Sequence, residues 1–170
     1  ILKRNIELPA YQRHFVWSKE SVVKFLIQLK EGLFVPPVIL GSFKKNVSNE
    51  NIILDGQQRL TTIYILLNYL KHEYKPRLNI KYSLTYQMRK GSGDFLNNMT
   101  EEHADDYIDY RFMYNAYLAI DEWFKQMETE VGIADIVSVS TKFIEFLRPV
   151  DLEKAKEVTR LVDAFIKSVL

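Results

Sequence analysis

The segment Asp55-Gly56-Gln57-Gln58-Arg59-Leu60-Thr61-Thr62 carries the densest chemistry in the chain. Five consecutive residues, Asp55 to Arg59, are polar or glycine, between the apolar run Ile52-Ile53-Leu54 and an amphipathic stretch that reaches Leu70. That is where a strand hands over to a helix, and packing alone gives no reason for two glutamines and an arginine there. A strand, a tight turn and a helix start form an anion site, because the first free N–H groups point outward and the helix dipole adds partial positive charge. Gly56 can take positive φ and let a phosphate approach the backbone. Arg59 offers a planar fork that matches phosphate oxygens. Asp55 suits Mg²⁺ or a ribose hydroxyl. Gln57 and Gln58 suit either a nucleobase edge or the positioning of a water. A purely structural turn would instead use Asp55 as a helix cap and leave Arg59 on the surface.

A second cluster, Pro9-Ala10-Tyr11-Gln12-Arg13, precedes Phe15-Val16-Trp17-Ser18. Gln12 and Arg13 have no core role, and Arg13 suits a phosphate. Tyr11 or Trp17 could stack on a base, although Phe15, Val16 and Trp17 also suit a staple that ties a helix start to the core. Arg89, in Tyr86-Gln87-Met88-Arg89-Lys90-Gly91, leads into another helix start and is a third candidate. No Gly-Lys-Ser/Thr ending of a Walker A loop occurs, which excludes a P-loop nucleoside triphosphatase.

The elements that must hold these residues read as follows. Ile6-Glu7-Leu8, ended by Pro9, suits a short edge strand. Ser18 is an N-cap for a helix to about Glu31, with Val22, Leu26 and Leu29 inward and Gly32 as its C′ residue. After Pro36-Pro37, Val38-Ile39-Leu40 reads as a buried strand, and residues 38–43 and 51–54 suit a hairpin. A helix from about Gln58 to Lys71 turns Leu60, Ile63, Leu67 and Leu70 to one side, and residues 78–85 have high β-propensity. Beyond Gly91-Ser92-Gly93 the pattern is helical. Ser92 or Asp94 would cap a short helix with Phe95, Leu96 and Met99. Residues 105–130 place Ile108, Phe112, Ala116, Ile120, Trp123 and Met127 on one face, and further helices are expected at 134–147 and 151–170. The reading is α+β, with a mixed α/β part over 1–90 and an all-helical part over 91–170.

With 170 residues the chain can bury a real core. No apolar run approaches the roughly 18 residues of a membrane helix, and no signal-peptide pattern opens the chain. Cysteine is absent, which excludes disulfides and thiolate metal sites and fits a reducing cytoplasm. The chain starts at Ile1 without methionine and stops within a helical pattern at Leu170, so it reads as a fragment. Net charge is +1, but residues 71–90 hold six Lys/Arg (Lys71, Lys75, Arg77, Lys81, Arg89, Lys90) against Glu73 alone. Such a stretch steers charged partners, and Lys71, Lys75, Arg77 and Lys81 form the expected DNA face.

These blocks, taken in order, resemble a known family. Residues 8–13 with Val16-Trp17-Ser18 are similar to its IPxYQRxYxW opening. Residues 35–41 resemble its next block, and residues 53–62 match its DGQQR hallmark. Arg89 with Phe95-Leu96, and residues 112–117 with Ile120 and Trp123-Phe124, resemble its later blocks. The family is the N-terminal domain of GmrSD-type, modification-dependent restriction systems, which are bacterial and direct their cutting at foreign DNA, often phage DNA with modified bases. The resemblance implies a ParB/sulfiredoxin-like α/β core followed by an all-helical subdomain. It implies binding and hydrolysis of a nucleoside triphosphate with Mg²⁺, coupled to an HNH-type nuclease domain or subunit. Asp55, Gln57, Gln58 and Arg59 would then be catalytic, with Asp55 also holding the metal. Gln12, Arg13, Gly56, Arg59, Thr61 and Arg89 would bind the nucleotide. No histidine occurs in residues 125–170, so the nuclease part is not expected within this chain. In the opening block Leu8 and Ala10 replace the usual Ile and acidic residue, so no carboxylate stands there for a metal.

Two other readings use the same residues. One is a non-hydrolysing switch of the ParB-like type, in which nucleotide or DNA phosphate only changes conformation. The other places a metal on Glu101, Glu102, His103, Asp105 and Asp106, a run that equally suits the acidic first turn of a helix. A membrane partner is not expected, and a homo-oligomer is compatible with the sequence.

Overall fold

A computed structural model describes residues 4–45, 48–74, 76–80 and 82–131. The predicted helices at 134–147 and 151–170 lie outside the described residues, as do Lys75 and Lys81. The fold is α+β. Four strands, β1 (Arg4–Leu8), β2 (Ile39–Lys45), β3 (Ser48–Asp55) and β4 (Tyr82–Tyr86), form one mixed sheet in the order β2-β3-β1-β4. Five helices accompany them: α1 (Lys19–Glu31), α2 (Gln57–Glu73), α3 (Ser92–Asn97), α4 (Glu101–Ala104) and α5 (Ile108–Val131).

Local signals place α1 as expected. The Ser18 hydroxyl accepts from Ser21 N–H, and Gly32 closes the helix at φ 66°. The hairpin of β2 and β3 also forms, antiparallel. Other expectations give way to tertiary pairing. β1 is no edge strand: it pairs in parallel with both β3 and β4. Pro9 follows the strand, so its missing N–H interrupts no ladder, and the ladder is carried on by Gln87 N–H donating to Leu8 O. β2 takes the edge instead, and Ile39 and Leu40 there are exposed rather than buried. Neither Ser92 nor Asp94 caps α3. Gly91 stands at its N-cap, and Ser92 Oγ accepts from Tyr86 N–H at 2.8 Å.

The predicted one-sided face of α2 is also corrected, because this helix is buried nearly all round. Leu60, Tyr64, Ile65, Leu66, Leu67, Tyr69 and Leu70 are all in the core, while Ile63 is only partly buried. Against α2 packs α5, whose inward face is Met113, Ala116, Ile120, Trp123, Phe124 and Met127. Ile108, expected on that face, is exposed. Tyr69 meets Phe124 and Tyr117 at ring separations of 5.3 and 5.7 Å. The hydrophobic core runs without a break from Ile6 to Met127, across residue 90.

Burial raises the phenols of Tyr64, Tyr69, Tyr82 and Tyr86 above the ordinary tyrosine value. The folded chain therefore keeps protons that the unfolded chain releases. Their contribution to stability is full below about pH 10 and is lost as pH rises past it. Denaturant midpoints are expected to hold between about pH 7 and about pH 9 and to fall by about pH 11. A midpoint that did not move over that alkaline range would contradict the burial of these rings.

Candidate functional site

Three stretches that are distant in sequence meet at the start of α2: the loop 9–18, the loop 36–38 and the turn at Asp55-Gly56. The reason begins in the sheet. Ile39 pairs with Asp55 and Leu40 with Ile53, so Leu54 is an extra residue that breaks the register of β3. Such a bulge leaves carbonyls without ladder partners. Gln12 takes them, with Nε2 donating to Ile53 O at 2.8 Å and Leu54 O at 3.1 Å.

The two glutamines of the turn reach the other way. Gln58 Nε2 donates to His14 O at 2.9 Å, and Gln58 Oε1 accepts from Val16 N–H at 2.9 Å. Gln57 Nε2 donates to Arg13 O. Both side chains are buried, at 7% and 6% exposure. The expectation that packing has no use for two glutamines here is thus corrected. The loop 13–16 cannot pair its own backbone, and side-chain amides supply the donor and acceptor that a neighbouring strand would give. One atom is left over: Gln57 Oε1 is buried with no hydrogen-bond partner among the described residues.

Gly56 has φ 89° and is the N-cap of α2, with no side chain capping the helix. A Cβ there would lie 3.0 Å from Arg59 Nη2 and 3.2 Å from Val38 Cα. The close approach is therefore made by the chain at Val38 and by Arg59. Arg59 Nη2 donates to Pro37 O at 3.1 Å and to Asp55 Oδ2 at 3.2 Å, and its Nε is buried without a partner among the described residues. Asp55 itself is exposed, with its side chain at 68%. Arg13 is exposed, and its guanidinium makes no hydrogen bond or ion pair among the described residues. Tyr11 is exposed at 76%, whereas Trp17 is partly buried edge-on to Phe25 at 5.3 Å, as a staple would be.

Arg89 joins from the turn after β4. Its Nε and Nη2 reach the two oxygens of Asp109 at 3.4 and 3.2 Å, and its guanidinium carbon sits 4.1 Å above the Tyr107 ring centre. Asp109 is fully buried, and His14 Nδ1 lies 3.7 Å from the same carboxylate. Neither His14 nor Asp109 stands out in the sequence. A polar residue in the first turn of a long amphipathic helix is the only signal Asp109 gives, and it looks like an ordinary first-turn acid.

The structure thus brings together Gln12, Arg13, Asp55, Gly56, Gln57, Gln58 and Arg59, with Arg89 linked through Asp109 and His14. It does not bring Thr61. That residue is fully buried, and its hydroxyl pairs with the Tyr86 hydroxyl at 2.7 Å. Lys71, in the last turn of α2, and Arg77, beyond that end, are exposed, and Lys71 lies about 20 Å along the helix axis from Gln57. In the acidic run, Asp105 pairs with Arg111, His103 with Asp106, and Glu101 and Glu102 occupy the first turn of α4. Among the described residues no group of three or more potential ligands is placed to hold a metal. No described helix is long and apolar enough to cross a membrane.

Two substitutions test this construction. Gln58→Leu leaves His14 O and Val16 N–H unpaired and is expected to destabilise the chain by about 2–3 kcal/mol. Gly56→Ala forces a Cβ into occupied space at positive φ and is expected to lose roughly 1–3 kcal/mol. Denaturant unfolding measures both, and wild-type midpoints would refute the cross-link.

Comparison with known proteins gives these contacts a context. An uncharacterized protein of Methanocaldococcus jannaschii is 24% identical over 136 residues, which cover 65% of this chain and 22% of that protein. The chain thus corresponds to under a quarter of that relative's length. The model of one family, the GmrSD restriction endonuclease N-terminal domain, matches residues 1–165. With nearly its whole length matched, and with the blocks at 8–18, 35–41 and 53–62 folded into one site, the chain belongs to the GmrSD restriction endonuclease N-terminal domain family.

Proposed function

We propose that this domain binds a nucleoside triphosphate at the start of α2 and hydrolyses it, as the regulatory part of a cytoplasmic DNA restriction or phage-defence protein. The observation that carries the reading is the uncapped N-terminus of a 17-residue helix, flanked by an exposed Asp55 and by an exposed Arg13 that is unpaired among the described residues. The free N–H groups and dipole of α2 favour phosphate. Arg13 adds charge-assisted hydrogen bonds, and Tyr11 offers a ring for the base. Gln57 Oε1, the buried acceptor without a partner among the described residues, is available to a water or to a ligand donor. Arg59 holds Asp55 and the loop at Pro37 in place around the nucleotide.

Mg²⁺ fits the donor set in a limited way. Among the described residues of the site, Asp55 alone has an exposed carboxylate, with Oδ2 on Arg59, which matches an ion held by one carboxylate and the substrate phosphates rather than by a protein cage. Bound there, the ion would neutralise charge between the terminal phosphates. DNA, with or without modified bases, would meet Lys71 and Arg77 at the far end of α2. Cutting would fall to an HNH-type nuclease domain or subunit. One observation favours a non-hydrolysing switch instead: three of the four side-chain amide N and O atoms of Gln57 and Gln58 are engaged by backbone.

Binding of each NTP to the 170-residue chain, with and without Mg²⁺, together with phosphate release, separates the two. Arg13→Ala is expected to weaken nucleotide affinity about tenfold or more. Asp55→Asn is expected to remove the Mg²⁺ dependence. Absence of binding to any NTP would refute the site. Tight binding without phosphate release would leave the switch.

A further inference from the structure

His14 stands between the first turns of two helices. Its carbonyl is fixed by Gln58 of α2 at 2.9 Å, and its imidazole Nδ1 is 3.7 Å from Asp109 in α5. That distance is longer than a hydrogen bond, and catalytic hydrogen bonds are often long in ligand-free sites and tighten only in the substrate complex. A fully buried carboxylate needs a partner, and Arg89 already supplies one with two hydrogen bonds while lying over Tyr107. The imidazole is therefore not needed to neutralise Asp109. It rests beside an already balanced pair, with its side chain one-third exposed and Nε2 free of partners among the described residues.

We infer that His14 is the general base of phosphoryl transfer at this site and that Asp109 is the positioning residue that orients it. The inference rests on the nucleotide reading above. In the step it describes, neutral His14 Nε2 takes a proton from a water, and the water oxygen forms a bond to the terminal phosphorus. The bond from that phosphorus to the bridging oxygen breaks, and its electron pair leaves with the diphosphate. The imidazolium formed is stabilised by Asp109, which does not take the proton, and it returns the proton to solvent. The other charged groups around the pair are Arg89, bonded to Asp109, and Arg13, next to His14 in the chain. Tyr86 and Tyr110 near Asp109 are kept neutral, their phenols raised by burial first and by the Asp109 charge as well. Tyr107 lies beneath Arg89. His14 is thus the group of this cluster whose ring nitrogen Nε2 is left without a partner among the described residues.

The test compares wild type, His14→Ala, His14→Gln and Asp109→Asn in the 170-residue chain, by nucleotide affinity, turnover against pH, and turnover with added imidazole. Both His14 variants are expected to lose turnover about a hundredfold or more while affinity changes less than about threefold. The acid limb of the wild-type pH profile is expected to vanish from the residual activity. Imidazole is expected to restore part of the turnover of His14→Ala. Asp109→Asn is expected to lower kcat with the affinity retained. Turnover in His14→Gln equal to wild type overturns this inference and leaves the nucleotide reading intact. So does parallel loss of affinity and turnover without imidazole rescue, which would mark a structural role. A wild-type chain that binds NTP without releasing phosphate overturns the base and leaves the switch, and one that binds no NTP overturns both readings.

Discussion

Three side-chain amides hold the irregular backbone of this domain together, and the site depends on them. The loop 9–18 crosses the end of the sheet without forming a strand, so its peptide groups need partners from elsewhere. Gln12 reaches from the loop into the bulge of β3, while Gln57 and Gln58 reach from α2 back into the loop. The stitching is reciprocal, so the loop and the turn are held as one unit. A glutamine amide suits the task because it carries donor and acceptor on one planar group, and at Gln58 both are used on opposite sides of Phe15.

The turn is rigid for a second reason. Gly56 sits where the chain at Val38 passes too closely for a side chain, and Arg59 binds the carbonyl of Pro37 from below. The helix that starts there is buried along most of its length, between the sheet and α5. A helix anchored in this way cannot shift at its N-terminus without disturbing the core. The peptide N–H groups at its start are therefore fixed in direction, which is the condition for binding an anion without reorganisation.

Asp109 joins the helical part to this unit. It draws Arg89 from the turn after β4 and His14 from the loop, so one buried carboxylate gathers two basic side chains. The exposed lysine and arginine at the other end of α2 belong to a different surface.

Local chemistry was readable from the chain alone. Ser18 and Gly32 bound α1 through hydrogen bonds within a few residues, and the hairpin follows from alternation and a polar turn. The junction at Asp55 to Arg59 was visible as a polar break between two apolar runs, and Arg89 as a basic residue before a helix. What the chain alone left undecided was every partnership across distance. Gln58 and Val16 are 42 residues apart, and no periodicity links them. The central place of β1 depends on two parallel neighbours supplied by later segments, and the burial of α2 depends on α5. Sequence types identify which groups can act on an anion. Only the tertiary structure decides which of them are engaged, Gln58 by backbone and Thr61 by the Tyr86 hydroxyl, and which stay exposed, as Arg13 and Asp55 do, because hydrogen-bond partners are assigned by proximity in space.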